Sequence, residues 1–522
     1  KVLVSVPVDQ AGLDILNRVR KVDQKIGLSE DELVGMIGEY DGLMIRSGTQ
    51  VTAKVIAAAS RLKIIGRAGV GVDNVDVPAA TQRGVLVVNS PEGNTIAAAE
   101  HALAMMLSLS RHVPQANAGM RAGKWDRKKY VGNELYKKTL GVVGLGKIGS
   151  HVAKVAQAMG MEVIAYDPFI AADRAKQMQV RLIELDELFR TADYVTLHIP
   201  RTKDTENLVN ADLLRTMKPT ARIVNCARGG VVDEAAISEA INQGVIAGAG
   251  LDVYATEPLA EDSPLRAVER GLVLTPHLGA STEEAQENVA VDVAEQIRDV
   301  LLGLPARSAV NIPGLSAEIM ERLKPHLQLA ETVGLLVSQL AGGHVKEMEL
   351  RLQGEFASHP SQPLVIAALK GLLSAALGDS INFVNASLEA KARGINVLEV
   401  KDETSRDFAG GSLQITTRGD QGDRCVTGAV FADGELRITS IDEFPVNVSP
   451  SRHMLFTRHR DMPGIIGHLG SMMGEHNVNI ASMQVGRKIV RGDAVMVLSI
   501  DDPIPADLLQ KITAIDGIQE AH

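Results

Sequence analysis

The sequence predicts an α/β protein of doubly wound parallel sheets, followed by an α+β segment and a small βαββαβ unit. Three observations carry that prediction. Short runs of Val, Ile and Leu alternate with amphipathic stretches up to about residue 280, as buried parallel strands joined by crossover helices do. The rhythm changes around "ARSAVNIPGL" (306–315), after which helices and alternating strands such as "GSLQITTRG" (411–419) and "GELRITSID" (434–442) take over. From His453 the order strand, helix, two strands, helix, short strand matches the ferredoxin-like arrangement.

In chain order, "KVLVSVPV" (1–8), "DGLMIRS" (41–47), "LKIIGRAGVGVDNVD" (62–76) and "GVLVVNSP" (84–91) read as strands separated by helical patterns. The pattern resumes with "KTLGVVGLGKIG" (138–149), a strand, a glycine turn and a helix start. "MEVIAYDP" (161–168), "ADYVTLHIP" (192–200), "ARIVNCARGG" (221–230), "AGAGLDVY" (247–254) and "GLVLTPHLG" (271–279) follow as strands of the same sheet. In the tail, "HMLFTRH" (453–459), "IASMQVG" (480–486) and "AVMVLSI" (494–500) are strands, with a helix in "IIGHLGSMMGEHN" (465–477).

Composition narrows the function. A chain of 522 residues corresponds to about three or four domains of ordinary size. With 45% hydrophobic and 23% charged residues it builds ordinary cores, and with 3% aromatics those cores rest on aliphatic side chains. The formal charge of −10 argues against a general nucleic-acid or anionic-membrane binder. Cys226 and Cys425 form neither a disulfide framework nor a metal-ligand spacing, so no metal is expected and a reducing, cytoplasmic location is. No unbroken apolar run reaches the roughly 20 residues that span a bilayer. "IAAAEHALAMMLSLS" (96–110) reads as the most apolar helix, a core element. No signal peptide is read, although opening on Lys1 stays compatible with a removed organellar transit peptide.

The first chemical motif is "GLGKIG". Gly144, Gly146 and Gly149 stand in G-x-G-x-x-G spacing after a strand and at a helix start. The first glycine permits the tight turn, the second lets a pyrophosphate approach the backbone, and the third lets helix and strand pack closely. Asp167 closes the next strand 23 residues after Gly144, where a carboxylate accepts the ribose 2′-hydroxyl and repels a 2′-phosphate. The expected cofactor is NAD rather than NADP, in a Rossmann-like domain. "GRAGVGVDNVD" (66–76) is also glycine-rich but lacks this spacing and a following acid, so it reads as a loop whose backbone approaches a small substrate.

Arg228, Glu257 and His277 each follow a predicted strand of that domain, on the edge where such sheets bind ligands. Hydride transfer from a hydroxy acid needs a cation for the carboxylate, a base for the hydroxyl proton, and a carboxylate to orient the base. The three residues supply one of each.

With these motifs the chain resembles the D-isomer-specific 2-hydroxyacid dehydrogenase family, and within it the long-form enzymes of D-3-phosphoglycerate. "GLGKIG", "NCARGGVVDE", "GLDVYATEP" and "PHLGAST" carry the likeness, with "IRSGTQV", "RAGVGVDNVD" and "SPEGNTIAAAEH" adding to it. The resemblance implies Arg228, Glu257 and His277 as catalytic residues. It implies Gly144, Gly146, Lys147, Ile148, Gly149, Asp167, Cys226 and Asp252 around the cofactor, and Arg46, Ser47 and Asn94 with Arg228 and His277 around the substrate. It implies a substrate-binding domain from residues 1–95 and 283–312, an NAD-binding domain at 96–282, an intervening domain of the allosteric substrate-binding type at 313–450, and an ACT regulatory domain at 451–522. A homodimer or homotetramer is expected.

The expected reaction is oxidation of D-3-phosphoglycerate to 3-phosphohydroxypyruvate, the first step of L-serine biosynthesis. Lys124, Arg127, Lys128 and Lys129 beside the only Trp read either as a solvated surface or, by resemblance, as a dimer contact lending a cation to a neighbouring site. In the tail, His459, Asp461 and Asn479 match positions that hold serine as an effector in some relatives; as isolated residues they read as turn caps. A dehydrogenase of another D-2-hydroxy acid, such as glycerate, and an NAD(H)-sensing binding protein are the rival readings.

Overall fold

The computed structural model describes residues 1–312, 317–403 and 411–522. The predicted boundary at residue 313 falls outside the described residues.

The first sheet has five parallel strands in the order Val22–Gln24, Val2–Val4, Gly42–Ile45, Ile64–Arg67 and Leu86–Asn89. Its central strands are apolar on both faces, as a sheet covered by helices on both sides requires. One cover comes from far along the chain. Val289, Ala290, Val293, Ala294 and Ile297 of the helix Glu283–Leu301 share a core with Val2, Val4, Leu16, Met44 and Ile64. Gln296 Nε2 then donates to the Asn89 carbonyl at 3.0 Å, and Val310 N to that of Val87 at 2.8 Å.

The second sheet has seven parallel strands, ordered Leu272–Leu274, Gly248–Leu251, Arg222–Asn225, Tyr194–Leu197, Thr139–Val143, Glu162–Tyr166 and Arg181–Leu182. The helix Thr95–Arg111 covers it through Ala99, Ala102, Leu103, Met106 and Leu109. The sequence reading had no signal for the short edge strands Val22–Gln24 and Arg181–Leu182. They carry no apolar run, because an edge strand needs no buried face.

A six-stranded mixed sheet follows, Asn396–Asp402, Val345–Gln353, Ser412–Gly419, Gly422–Val430, Leu436–Ile441 and Phe444–Val448, with only the first pair parallel. Two long helices, Ala317–Ala341 and Ser361–Leu377, pack on it. Where they cross, a Cβ on Gly334 would lie 2.2 Å from the Ala368 carbonyl oxygen, and one on Gly371 2.0 Å from that of Glu331. The segment Ser361–Ser380 is long and apolar enough to cross a membrane by length and composition, so the expectation that 96–110 is the most apolar helix is corrected. Its apolarity has a local cause: Leu364, Ile366, Ala367, Ala368, Leu369, Leu372 and Leu373 are buried in this unit's core.

The last sheet is antiparallel, ordered Ile480–Arg487, Asp493–Ile500, His453–Arg460 and Ile518–Ala521. The helices Ile465–Glu475 and Ala506–Thr513 cover it through Leu469, Met473, Leu508 and Ile512. This is the predicted ferredoxin-like arrangement.

Candidate active site

In both parallel sheets the residues of interest follow the carboxyl ends of strands, where open α/β sheets bind ligands. Gly144 turns at φ +91°, and Gly146 caps the helix Lys147–Ala158 with open space where its Cβ would stand. A Cβ on Gly149 would sit 2.0 Å from the Gly144 carbonyl oxygen, so helix and strand meet at a distance only glycine allows. Asp167 folds back onto this turn, Oδ2 accepting from Leu145 N at 2.8 Å and Oδ1 from Phe169 N at 2.9 Å. Lys147 Nζ pairs with Glu92 Oε1 at 2.5 Å, while Ile148 packs on the sheet core. An open helix N-terminus, a glycine cradle and a strand-end acid fit a dinucleotide.

Strands Arg222–Asn225, Gly248–Leu251 and Leu272–Leu274 are neighbours, so the segments after them converge. His277 Nδ1 lies 2.7 Å from Glu257 Oε2, and Glu257 Oε1 accepts from Tyr254 N at 3.1 Å. The carboxylate therefore accepts a hydrogen bond from Nδ1–H and leaves Nε2 as the free nitrogen. Arg228 extends toward the first sheet, its Nε 3.2 Å from Asp73 Oδ2.

Asp73 belongs to the glycine-rich loop read as a substrate loop, and that loop carries a residue the sequence reading missed. Arg67, the last residue of its strand, has a buried Nε with no hydrogen-bond partner. Burial and the charges of Arg228 and Arg46 hold its pKa down to about 10, with Asp73 opposing. A Cβ on Gly69 or Gly71 would overlap the guanidinium of Arg67 or Arg228, so these glycines let both side chains lie on the backbone. The signal was present in "GRAGVG", but only the packing of the first sheet against the second brings Arg67 close to Arg228. Arg46 and Ser47 follow the adjacent strand Gly42–Ile45. Asn94 caps the helix Thr95–Arg111 without a side-chain hydrogen bond, its Oδ1 buried and unpartnered. Such orphaned buried groups call for a ligand or ordered water.

Asp252 is fully buried, and beside it Cys226 is held as a thiol by burial and by the Asp252 charge. The basic segment beside Trp125 forms a short 3₁₀ turn, Arg127–Tyr130, with Trp125 itself exposed.

In the last sheet the three candidate effector residues are not brought together within one chain. His459 is buried and pairs with Ala494, whereas Ile480, next to Asn479, pairs with Ile500 at the other end of the same strand. About six residues of strand separate them, roughly 20 Å. Asp461 and Asn479 also have partners of their own: Asp461 Oδ2 accepts from Arg487 Nη1 at 2.8 Å and from Arg491 N at 3.0 Å, and Asn479 Nδ2 donates to Asp501 Oδ2 at 2.7 Å.

Known proteins match this architecture. Residues 103–279 match the NAD binding domain of D-isomer specific 2-hydroxyacid dehydrogenases, 322–442 the D-3-phosphoglycerate dehydrogenase intervening domain, and 453–517 the ACT domain. The chain is 63% identical to D-3-phosphoglycerate dehydrogenase of Synechocystis sp., over 100% of this chain and 94% of the relative. It is 43% identical to that of Archaeoglobus fulgidus, over 100% and 99%. Among solved structures it is similar to a D-lactate dehydrogenase from Aquifex aeolicus complexed with NAD and lactic acid (27% identity, TM-score 0.53, 58% of this chain and 96% of that one). It is also similar to an NAD-dependent formate dehydrogenase from Staphylococcus aureus in complex with NAD (26%, TM-score 0.54, 60% and 99%).

Fold and site together define an NAD-dependent dehydrogenase of the D-2-hydroxyacid class. Within that class, the chain belongs to the D-3-phosphoglycerate dehydrogenase family.

Proposed function

We propose that the chain oxidises D-3-phosphoglycerate to 3-phosphohydroxypyruvate with NAD, the first step of L-serine biosynthesis. The observation that carries the substrate reading is the arginine cluster between the two parallel sheets, Arg46, Arg67 and Arg228 with Asp73 among them. The Nε of Arg67 is buried without a partner, a cost that a dianionic phosphate offsets and a neutral hydroxymethyl does not. Arg46, Ser47 and Asn94 complete the substrate side.

The residues divide the chemistry as follows. Arg228 binds the substrate carboxylate and polarises the C2 oxygen. His277 takes the C2 hydroxyl proton at Nε2 while its Nδ1–H donates to Glu257, whose charge stabilises the imidazolium. NAD bound here would supply the acceptor for the C2 hydride. Gly144, Gly146 and Gly149 would hold the backbone for its pyrophosphate, Asp167 would meet the adenosine ribose, and Lys147, Ile148, Cys226 and Asp252 would line the same side.

Serine as an effector would use His459 and Asp461 of one copy with Asn479 of another, since one chain holds them at opposite strand ends. Exposed Leu107, Val113, Met120, Trp125 and Val131 cluster along 107–131 and support a homodimer contact there. Two free cysteines support a reducing, cytoplasmic setting.

NADH oxidation with 3-phosphohydroxypyruvate against unphosphorylated hydroxypyruvate, each with and without millimolar L-serine, tests the reading. A strong phosphate preference is expected. Equal rates would move the assignment to a general hydroxy-acid dehydrogenase, and absence of turnover to an NAD(H)-binding protein.

A further inference from the structure

One cluster of metal-type donors stands among the described residues: His101, Cys226 and Asp252, with ligand atoms within 4.8 Å of one another. Its chemistry points away from a metal. Asp252 Oδ1 accepts from Thr275 Oγ1 at 2.6 Å and from Leu278 N at 2.7 Å, and Oδ2 accepts from Gly279 N at 2.9 Å. A metal would have to displace these donors and deprotonate a thiol that burial and the Asp252 charge keep protonated.

What those hydrogen bonds grip is the loop around His277. Thr275 precedes the histidine and Leu278 and Gly279 follow it, so one buried carboxylate holds both flanks. His277 itself sits at φ +57°, a left-handed conformation that is unfavourable for a non-glycine residue and persists only when its surroundings impose it. That conformation belongs to the loop that sets the imidazole against Glu257.

The last member of the network comes from elsewhere. His101 lies on the helix Thr95–Arg111, whose first residue follows Asn94. Its Nε2 stands 3.1 Å from Thr275 Oγ1 and 3.1 Å from Asp252 Oδ1. Thr275 Oγ1–H donates its hydrogen bond to Asp252 and keeps lone pairs free, so His101 acts as an Nε2–H donor to the pair. The helix that begins at the substrate side thus reaches the loop of the base.

We infer that His101 is a positioning residue: through Thr275 and Asp252 it fixes the His277 loop, without touching the reacting atoms. The inference rests on the acid/base reading of His277, and the test separates the two. His277→Ala tests the reading, and retained turnover would overturn both. His101→Leu removes the donor, and His101→Gln restores an amide N–H near the position of Nε2. The expected result is a 10–100-fold loss of kcat in His101→Leu, substantial recovery in His101→Gln, and NADH Kd, read by fluorescence titration, within about threefold of the parent in both. With His277→Ala inactive, parent-like kcat in His101→Leu would overturn the inference, as would equal loss in both His101 variants with NADH affinity falling in parallel. Inhibition of the parent by micromolar zinc, absent in His101→Leu, would overturn it in favour of a metal site.

Discussion

The Arg228 guanidinium reaches from the second sheet to Asp73, its Nε 3.2 Å from Oδ2. The pair joins a strand end of the second sheet to the glycine-rich loop of the first, so a cation proposed for the substrate carboxylate already has an acidic neighbour. Arg67 beside it keeps a buried Nε without a hydrogen-bond partner.

That asymmetry makes Arg67 the residue whose loss should discriminate between substrates. A hydrogen bond to a charged group contributes about 1.5–3 kcal/mol, so Arg67→Ala should lower kcat/KM for the phosphorylated substrate by roughly 10–100-fold. The unphosphorylated analogue should change by less than about threefold. Parallel steady-state kinetics on both substrates decide it, and equal losses would remove Arg67 from phosphate recognition.

Asp167 combines two tasks, since its oxygens also hold Leu145 N and Phe169 N. Asp167→Arg should shift the NADP/NAD ratio of kcat/KM toward NADP and also weaken NAD binding, because the loop loses its acceptor. Unchanged selectivity would refute the ribose role.

Gly371 marks the crossing of the two long helices, with 2.0 Å between its notional Cβ and the Glu331 carbonyl oxygen. Gly371→Ala adds helix propensity worth about 1 kcal/mol, but the overlap forces the helices apart at a cost of about 1–3 kcal/mol or more. A net loss is expected, visible as an earlier thermal transition of the full chain. A later transition would show that the helices separate freely.

His198 gives stability a pH dependence. Desolvation holds its pKa down to about 4, while Nε2 stands 2.9 Å from Thr196 Oγ1. The folded chain keeps the ring neutral and the unfolded chain protonates it near 6.5, so the unfolded state binds the extra proton. Its contribution is complete above pH about 6.5 and is lost as pH falls toward 4, at up to about 1.4 kcal/mol per pH unit. Urea unfolding at pH 7 and pH 5 should show that loss, and His198→Asn should flatten it. An unchanged slope in the variant would assign the acid lability to other groups.

The sequence by itself determined what is written in local periodicity and short spacing. The buried strands of both parallel sheets announce themselves as apolar runs because both faces are covered. The glycine turn and Asp167 lie in one strand–helix–strand unit, and Arg228, Glu257 and His277 each follow a strand directly, so their common edge follows from the fold class. The tertiary structure alone decided what depends on strand order and long-range packing. It set Arg67 against Arg228 over glycines 69 and 71, and placed His101 on the loop of a base 176 residues away in sequence. It also parted His459 from Asn479 by the length of one strand. Short-range patterns encode which face of an element is buried; they carry no record of which distant element will cover it.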